Sequence, residues 1–286
     1  MISRVYVEIT NLCNLRCNFC PGTSRPLMAM RTDDFETAAR KLRTLTQYIY
    51  LHVMGEPLLH PELDRILDIC TRLEFKVCLT TNGLLLPQRL ELLLACPSLY
   101  KVSVSLHSYE GNRMAMPLEE YVTGCVRSCQ ALAERGVNCT LRLWNRGTPQ
   151  ALNPEIERIL GRLTGRNTAC LPRDMAGNRR LAPHIYIQED ERFYWPGDQR
   201  NDGPDAQYCY GLRRQLAVLC DGTVVPCCLD GEGRLALGNI LRQRLEDILE
   251  SSRAKRIRRG FDCRKPAEEL CRRCNYAKRF NSSQIK

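Results

Sequence analysis

The sequence predicts an α/β protein built on a parallel sheet, and three observations predict it. Short runs rich in β-branched and aromatic residues alternate with amphipathic segments of helical length. Most of those runs end in a polar or glycine-bearing loop, where open sheets and barrels of parallel strands carry their ligands. The 286 residues suit one large domain with a smaller appendage.

In chain order, the first strand is Val5-Tyr6-Val7-Glu8-Ile9-Thr10, and a cysteine-rich loop leaves it. Thr32-Asp33-Asp34-Phe35-Glu36 places acids in the first turn of a helix that runs to about Thr46. Tyr48–Val53 reads as the second strand. His60-Pro61-Glu62 opens a helix with Leu63, Ile66, Leu67 and Ile69 on one side. Lys76–Thr80 is the third strand, ending in Thr81-Asn82-Gly83, and a short helix covers Pro87–Ala95. Lys101–Leu106 is the fourth strand. A long helix spans Leu118–Arg135 and stops at Gly136, and Cys139–Trp144 is the fifth strand. A helix around Pro154–Leu163 and a sixth strand, His184–Ile187, complete the alternation. Six such units are too few to close an eight-fold barrel, so an open partial barrel or a doubly wound sheet remains.

Phe193–Gln207 is rich in Trp, Pro, Gly, Asp and Asn and reads as a linker. Beyond it, Leu216–Cys220, Asp221-Gly222 and Thr223–Val225 predict a hairpin with a tight Asp-Gly turn. Leu241–Ile257 is predicted as a helix. These features divide the chain into residues 1–192 and 193–286.

Hydrophobic residues at 44% and charged residues at 26% describe a globular chain that buries a core, and no apolar run approaches the ~20 residues of a membrane span. The chain opens almost directly on its first strand, so no signal peptide and a cytoplasmic location are expected. The net charge of +10 is concentrated near the C-terminus. No aromatic residues interleave those cations, so they read as a solvated helix face and not as a nucleic-acid surface. Seventeen cysteines in a reducing compartment point to metal or Fe–S ligation.

The centre of that chemistry is Cys13-x3-Cys17-x2-Cys20, on the loop after the first strand. Three thiolates on a four-iron cluster leave one iron open, and an open position separates a reactive site from a structural one. A zinc knuckle with a distant fourth ligand is the competing reading.

Cys13-Asn14-Leu15-Arg16-Cys17-Asn18-Phe19-Cys20 resembles the S-adenosylmethionine (SAM) motif of radical SAM enzymes, with the aromatic Phe19 before the last cysteine. Met54-Gly55-Glu56-Pro57 is similar to that family's glycine-glutamate motif, and Ser105-Leu106-His107 to its fourth-strand segment, with His107 as a departure. The resemblance covers about residues 3–190 and implies a partial (β/α)6 TIM barrel. It implies a [4Fe–4S] cluster on Cys13, Cys17 and Cys20, and SAM contacts from Phe19, Gly55, Glu56, Thr81, Asn82, Ser105 and Arg142. Cys209, Gly222, Cys227 and Cys271-x2-Cys274 resemble the SPASM/Twitch extensions. This implies a small C-terminal hairpin-and-helix domain with one auxiliary [4Fe–4S] cluster on Cys209, Cys227, Cys271 and Cys274. Cys228 competes with Cys227, Cys220 and Cys263 are spare, and a zinc ribbon at Cys271 and Cys274 stays open.

The resemblance implies reductive cleavage of SAM to a 5′-deoxyadenosyl radical that abstracts a substrate hydrogen, with electrons from a flavodoxin or ferredoxin-type donor. A fully ligated auxiliary cluster implies a net oxidation. A peptide or protein side chain is the first substrate class. The second is a small aminocyclitol or sugar alcohol, to which the absence of a leader-binding domain before the first strand lends weight. His107 and Cys228 are the catalytic candidates, while His60 reads as a cap and His52 as core. The alternative from another class is a non-catalytic protein that zinc or Fe–S merely stabilises.

Overall fold

A computed structural model describes residues 2–112, 114–149, 151–198 and 208–281. The strands are β1 (Arg4–Val7), β2 (Tyr48–Tyr50), β3 (Lys76–Thr81), β4 (Leu99–Ser105), β5 (Asn138–Arg146), β6 (Arg179–Ala182), β7 (Ile185–Glu191), β8 (Gln215–Val218), β9 (Thr223–Val225) and β10 (Gly238–Asn239). They form one sheet in the order β10-β9-β8-β1-β2-β3-β4-β5-β7-β6. Pairing is parallel from β8 through to β7, and antiparallel only at β9, β10 and β6. The two end strands do not pair with each other, so the barrel is open.

Helices α1 (Thr32–Arg43), α2 (Leu63–Arg72), α3 (Leu90–Leu94), α4 (Leu118–Glu134) and α5 (Asn153–Thr164) are the crossovers that parallel strands require. Their apolar stripes, such as Phe35, Ala38, Ala39 and Leu42 on α1, recur at helical spacing. They pack on Val5, Val7, Ile49, Val77, Leu79, Val102, Val104, Leu141 and Leu143, all at most 1% exposed. Strand side chains alternate, so the opposite, inner face carries the residues between these: Tyr6, Tyr50, Thr80, Ser103, Thr140 and Arg142. One face is a hydrocarbon core and the other is polar.

The C-terminal hairpin is not a separate sheet. β8 pairs in parallel with β1, from Arg4↔Gln215 to Val7↔Val218, so the barrel and the C-terminal segment share one backbone ladder. Helices α6 (Leu245–Leu249), α7 (Ser252–Asp262), α8 (Glu269–Arg272) and α9 (Lys278–Asn281) follow it.

Two expectations differ from the structure. The single helix expected over Leu241–Ile257 is split, because Ser251 caps α7 by accepting the Ala254 N–H at 3.3 Å. Strand β6 has no counterpart in the sequence reading. Its Arg-Arg start looks like a solvated turn until Arg179 is seen buried between Glu157 and Glu189. Of the expected linker, residues 199–207 lie outside the described residues.

Candidate active site

The loop after β1 is closed at its base. Asn11 donates through its side-chain amide to the Pro26 carbonyl at 2.9 Å and accepts the Met28 N–H at 2.7 Å. Within the loop, the Cys20 N–H turns back onto the Cys17 carbonyl at 3.0 Å. Cys13, Cys17 and Cys20 all line one cavity of about 480 Å³, with Met54, Gly55 and Trp195 on its other walls.

Loops from the ends of three strands brace the cysteines. After β2, the Glu56 N–H donates to the Leu12 carbonyl at 2.7 Å. That approach demands glycine at 55: its φ is +74°, and a Cβ there would overlap the Thr10 carbonyl oxygen. After β3, Asn82 donates to the Asn14 side-chain oxygen at 2.8 Å and lies 3.9 Å from the Cys13 sulfur. After β4, Asn112 accepts the Arg16 N–H at 2.9 Å and donates to the Cys17 sulfur at 3.1 Å. Gly111 beside it gives the Phe19 ring its place, since a Cβ there would stand 2.6 Å from the ring.

Phe19 is held on every side. Its ring centroid lies 5.1 Å from that of His107, the Arg192 guanidinium sits over it at 5.5 Å, and its carbonyl accepts the Trp195 indole N–H at 3.1 Å. His107 is buried, and burial holds its imidazole down at about 4, so it is neutral at physiological pH. Its Nδ1 lies 3.1 Å from the Arg142 carbonyl. The residues expected to be a linker, from Phe193 to Asp198, therefore begin by docking on the cysteine loop.

Glu56 is buried. It accepts the Leu58 N–H at 3.1 Å and the Asn82 N–H at 2.7 Å, and burial pushes its carboxyl up to about 7. Thr81 is turned to the same brace, accepting the Gly83 N–H at 3.0 Å. Ser105 and Arg142 are in register across β4 and β5 and share the inner face. His60 caps a turn, with Nδ1 accepting the Glu62 N–H at 3.2 Å and Nε2 lying 2.9 Å from the Met30 carbonyl.

The second cysteine group lies in the C-terminal segment. Cys209, Cys227, Cys271 and Cys274 surround a small apolar cavity of about 30 Å³ walled by Pro226, Leu235, Phe261 and Leu270. Burial pushes all four thiols up, Cys209 to about 12. Cys228 is turned the other way, packing with Tyr6, Ala217 and Leu219 on the inner face. Cys220 lies against Glu8, and Cys263 is exposed at the end of α7. None of the seventeen cysteines is in a disulfide.

Among the described residues, no three His, Cys, Asp or Glu side chains are grouped so as to hold a single metal ion. A zinc ion with bonds of about 2.3 Å to sulfur draws its ligands into one tight tetrahedron. Thiols facing a shared cavity, with side-chain amides aimed at the sulfur, suit a larger thiolate-held cluster.

Comparison with known proteins decides the family. A sequence model described as the radical SAM superfamily matches residues 7–144, and one described as an iron-sulfur cluster-binding domain, SPASM, matches residues 209–275. The chain belongs to the radical SAM superfamily. It is a member with a SPASM domain, and the two together imply SAM, a [4Fe–4S] cluster and auxiliary Fe–S chemistry.

Radical SAM relatives match over part of their length. The GTP 3′,8-cyclase of Chlorobaculum tepidum is 36% identical over 99 residues, which is 32% of this chain and 29% of that protein. The Aquifex aeolicus enzyme of the same name is 33% identical over 110 residues, 36% of this chain and 34% of that protein. The chain thus spans about a third of these curated relatives. Solved structures align over nearly all of it. BtrN in complex with AdoMet and 2-DOIA gives a TM-score of 0.57 at 19% identity, over 96% of this chain and 93% of BtrN. Streptococcus suis SuiB bound to precursor peptide SuiA gives 0.60 at 17%, over 97% of this chain and 70% of SuiB. At these identities they show a shared fold. Among the described residues no helix is long and apolar enough to cross a membrane.

The sequence missed Asn112, Gly111, Arg192 and Trp195. Only the Gly-Asn pair carried a signal, a turn-forming dipeptide in the segment between the fourth strand and the long helix.

Proposed function

We propose that this chain is a radical SAM oxidoreductase acting on a small polar molecule that reaches the inner face of the open barrel. When bound, the first cluster with SAM would supply hydrogen-abstracting radical chemistry, and the second cluster would supply an electron acceptor. The single observation that carries the reading is the convergence of Cys13, Cys17 and Cys20 on one cavity beside the ends of β2, β3 and β4.

The chain's own residues position these groups. Cys13, Cys17 and Cys20 are the ligands of the first cluster, and Phe19, Gly55, Glu56, Asn82 and Ser105 surround the SAM site, with Thr81 bracing Glu56. Cys209, Cys227, Cys271 and Cys274 would hold the second cluster, and four thiolates would leave substrate recognition to inner-face side chains. Cys227, not Cys228, is the ligand, because Cys228 faces Tyr6. His107 positions Phe19 and is too weakly basic to take a proton at neutral pH. Electrons come from a flavodoxin or ferredoxin-type donor. Residues 1–192 form the core and 193–286 the auxiliary-cluster unit.

A small substrate is supported by BtrN, whose structure holds 2-DOIA and matches this chain over 93% of its length, and by relatives whose name gives GTP as substrate. A peptide side chain is the second reading, supported by SuiB with its precursor peptide and by anSMEcpe with the Cp18Cys peptide. Incubation of the reduced holoenzyme with small-metabolite and peptide fractions, scored by substrate-stimulated 5′-deoxyadenosine release, separates them. Stimulation by the peptide fraction alone overturns the small-molecule reading.

A further inference from the structure

The inner face of the barrel is charged in a way the fold does not require. Arg4 on β1, Lys101 on β4 and Arg142 on β5 all stand on it. Among the described residues none of the three has a carboxylate within ion-pair distance. The acids nearby are engaged elsewhere: Glu8 by Arg25, Asp190 by Arg279 at 3.0 Å, and Asp174 by the Ala176 and Asn178 N–H groups of its own turn. A buried cation is costly unless an opposite charge meets it.

Among the described residues, three polar atoms on the same face are buried without a hydrogen-bond partner: Arg142 Nε, Trp144 Nε1 and His52 Nδ1. Arg142 keeps some exposure as a residue, but this nitrogen has none. The three belong to one group. Arg142 Nη1 and His52 Nε2 lie 3.4 and 3.3 Å from the same Thr80 hydroxyl, and the Arg142 guanidinium stacks 4.7 Å from the Trp144 ring. Burial keeps His52 neutral, and the tautomer in which Nε2 accepts from Thr80 would place its proton on Nδ1 as a third donor.

We propose that the substrate is a small anion bearing a carboxylate or a phosphate, bound on the inner face by the Arg142 guanidinium with Trp144 Nε1 and His52 Nδ1 as further donors. This rests on the radical SAM reading above and names the class of its small molecule. A planar guanidinium with a free Nε–H suits the paired oxygens of either group. Arg4 and Lys101, with the single acid Asp174, line a cavity of about 500 Å³ at the far end of the same face, which leaves that end net positive. The same charges oppose a cationic aminocyclitol. Arg142, which the family resemblance would give to SAM, is assigned to the substrate.

The test titrates reconstituted holoenzyme, with SAM present and ionic strength fixed, with tripolyphosphate and separately with citrate, following the melting temperature. One probe stabilises the wild type saturably, and which one does so names phosphate or carboxylate. R142Q weakens that probe about tenfold or more, while R142K, which keeps the charge, and W144F, which removes one donor, each lose less. R259Q, on the exposed face of α7, leaves it unchanged. Failure of both probes to bind wild type overturns the proposal, as does equal binding by wild type and R142Q. So does an R142Q protein that loses SAM affinity and keeps probe affinity. 5′-Deoxyadenosine release by the same wild-type sample is scored separately, because its absence overturns the radical SAM activity and not the anion site.

Discussion

One nitrogen of the Arg25 guanidinium lies 2.7 Å from both carboxylate oxygens of Glu8, and this pair, with Glu8 buried and Arg25 half-buried, joins the cysteine loop to the sheet. Glu8 also accepts the Met54 N–H at 3.2 Å and the Cys220 N–H at 3.1 Å. Arg25 donates in addition to the Gly231 carbonyl at 2.7 Å. The first strand, the glycine-glutamate loop and the C-terminal hairpin therefore meet on one ion pair. Its removal on one side leaves a charge stranded in the interior. R25Q is expected to lose about 3–5 kcal/mol in urea unfolding, and E8Q/R25Q to recover part of it. A loss below about 1 kcal/mol would show that solvent reaches Glu8.

Gly55 is fixed by geometry and not by chemistry. G55A adds a methyl group where the Thr10 carbonyl already stands, at a φ of +74° that costs a substituted residue about 1–2 kcal/mol before the overlap is counted. The variant is expected to be folded poorly or to hold sub-stoichiometric iron on the first cluster. Wild-type iron content and melting temperature in G55A would contradict the packing described.

Asn112 donates to the Cys17 sulfur, and a donor to thiolate sulfur favours the more negative, reduced state of a cluster. N112A should lower the reduction potential of the first cluster and leave that of the second unchanged. Potentiometric titration followed by EPR reads both. Equal shifts in the two would assign the effect to folding.

Glu56 gives stability a pH dependence. Burial raises its folded value to about 7 from an ordinary 4.5. The folded chain thus keeps a proton that the unfolded chain has released. The contribution is complete below about pH 4.5 and is lost as pH rises towards 7, by at most about 3 kcal/mol. E56Q should flatten this slope in unfolding measured from pH 4.5 to 7.5. An unchanged slope would mean that the two backbone donors at Glu56 outweigh burial.

What the sequence made legible was local. The cysteine spacing, the strand-end loops and the tail cysteines are each visible within a few residues. The structure brings them together because parallel strands deliver their ends to one edge. What it hid depends on partners far apart in the chain. Glu8 reads as an ordinary strand residue until Arg25 and Cys220 close on it. Trp195 reads as linker, and Arg192 as the unremarkable end of the first domain, until they are found on Phe19 and Asn18. The inner face was missed for a different reason. Tyr, Thr and Arg at alternate strand positions look like a solvated face, and only the open barrel makes them the lining of a chamber.

Anaerobic reconstitution followed by iron analysis and SAM turnover tests the central claim most directly. The wild type should bind about eight irons per chain and release 5′-deoxyadenosine from SAM under strong reductant. The C13A/C17A/C20A protein should keep about four irons, held by the C-terminal thiols, and release none. Stoichiometric zinc in the wild type, or 5′-deoxyadenosine from the triple variant, would contradict the account.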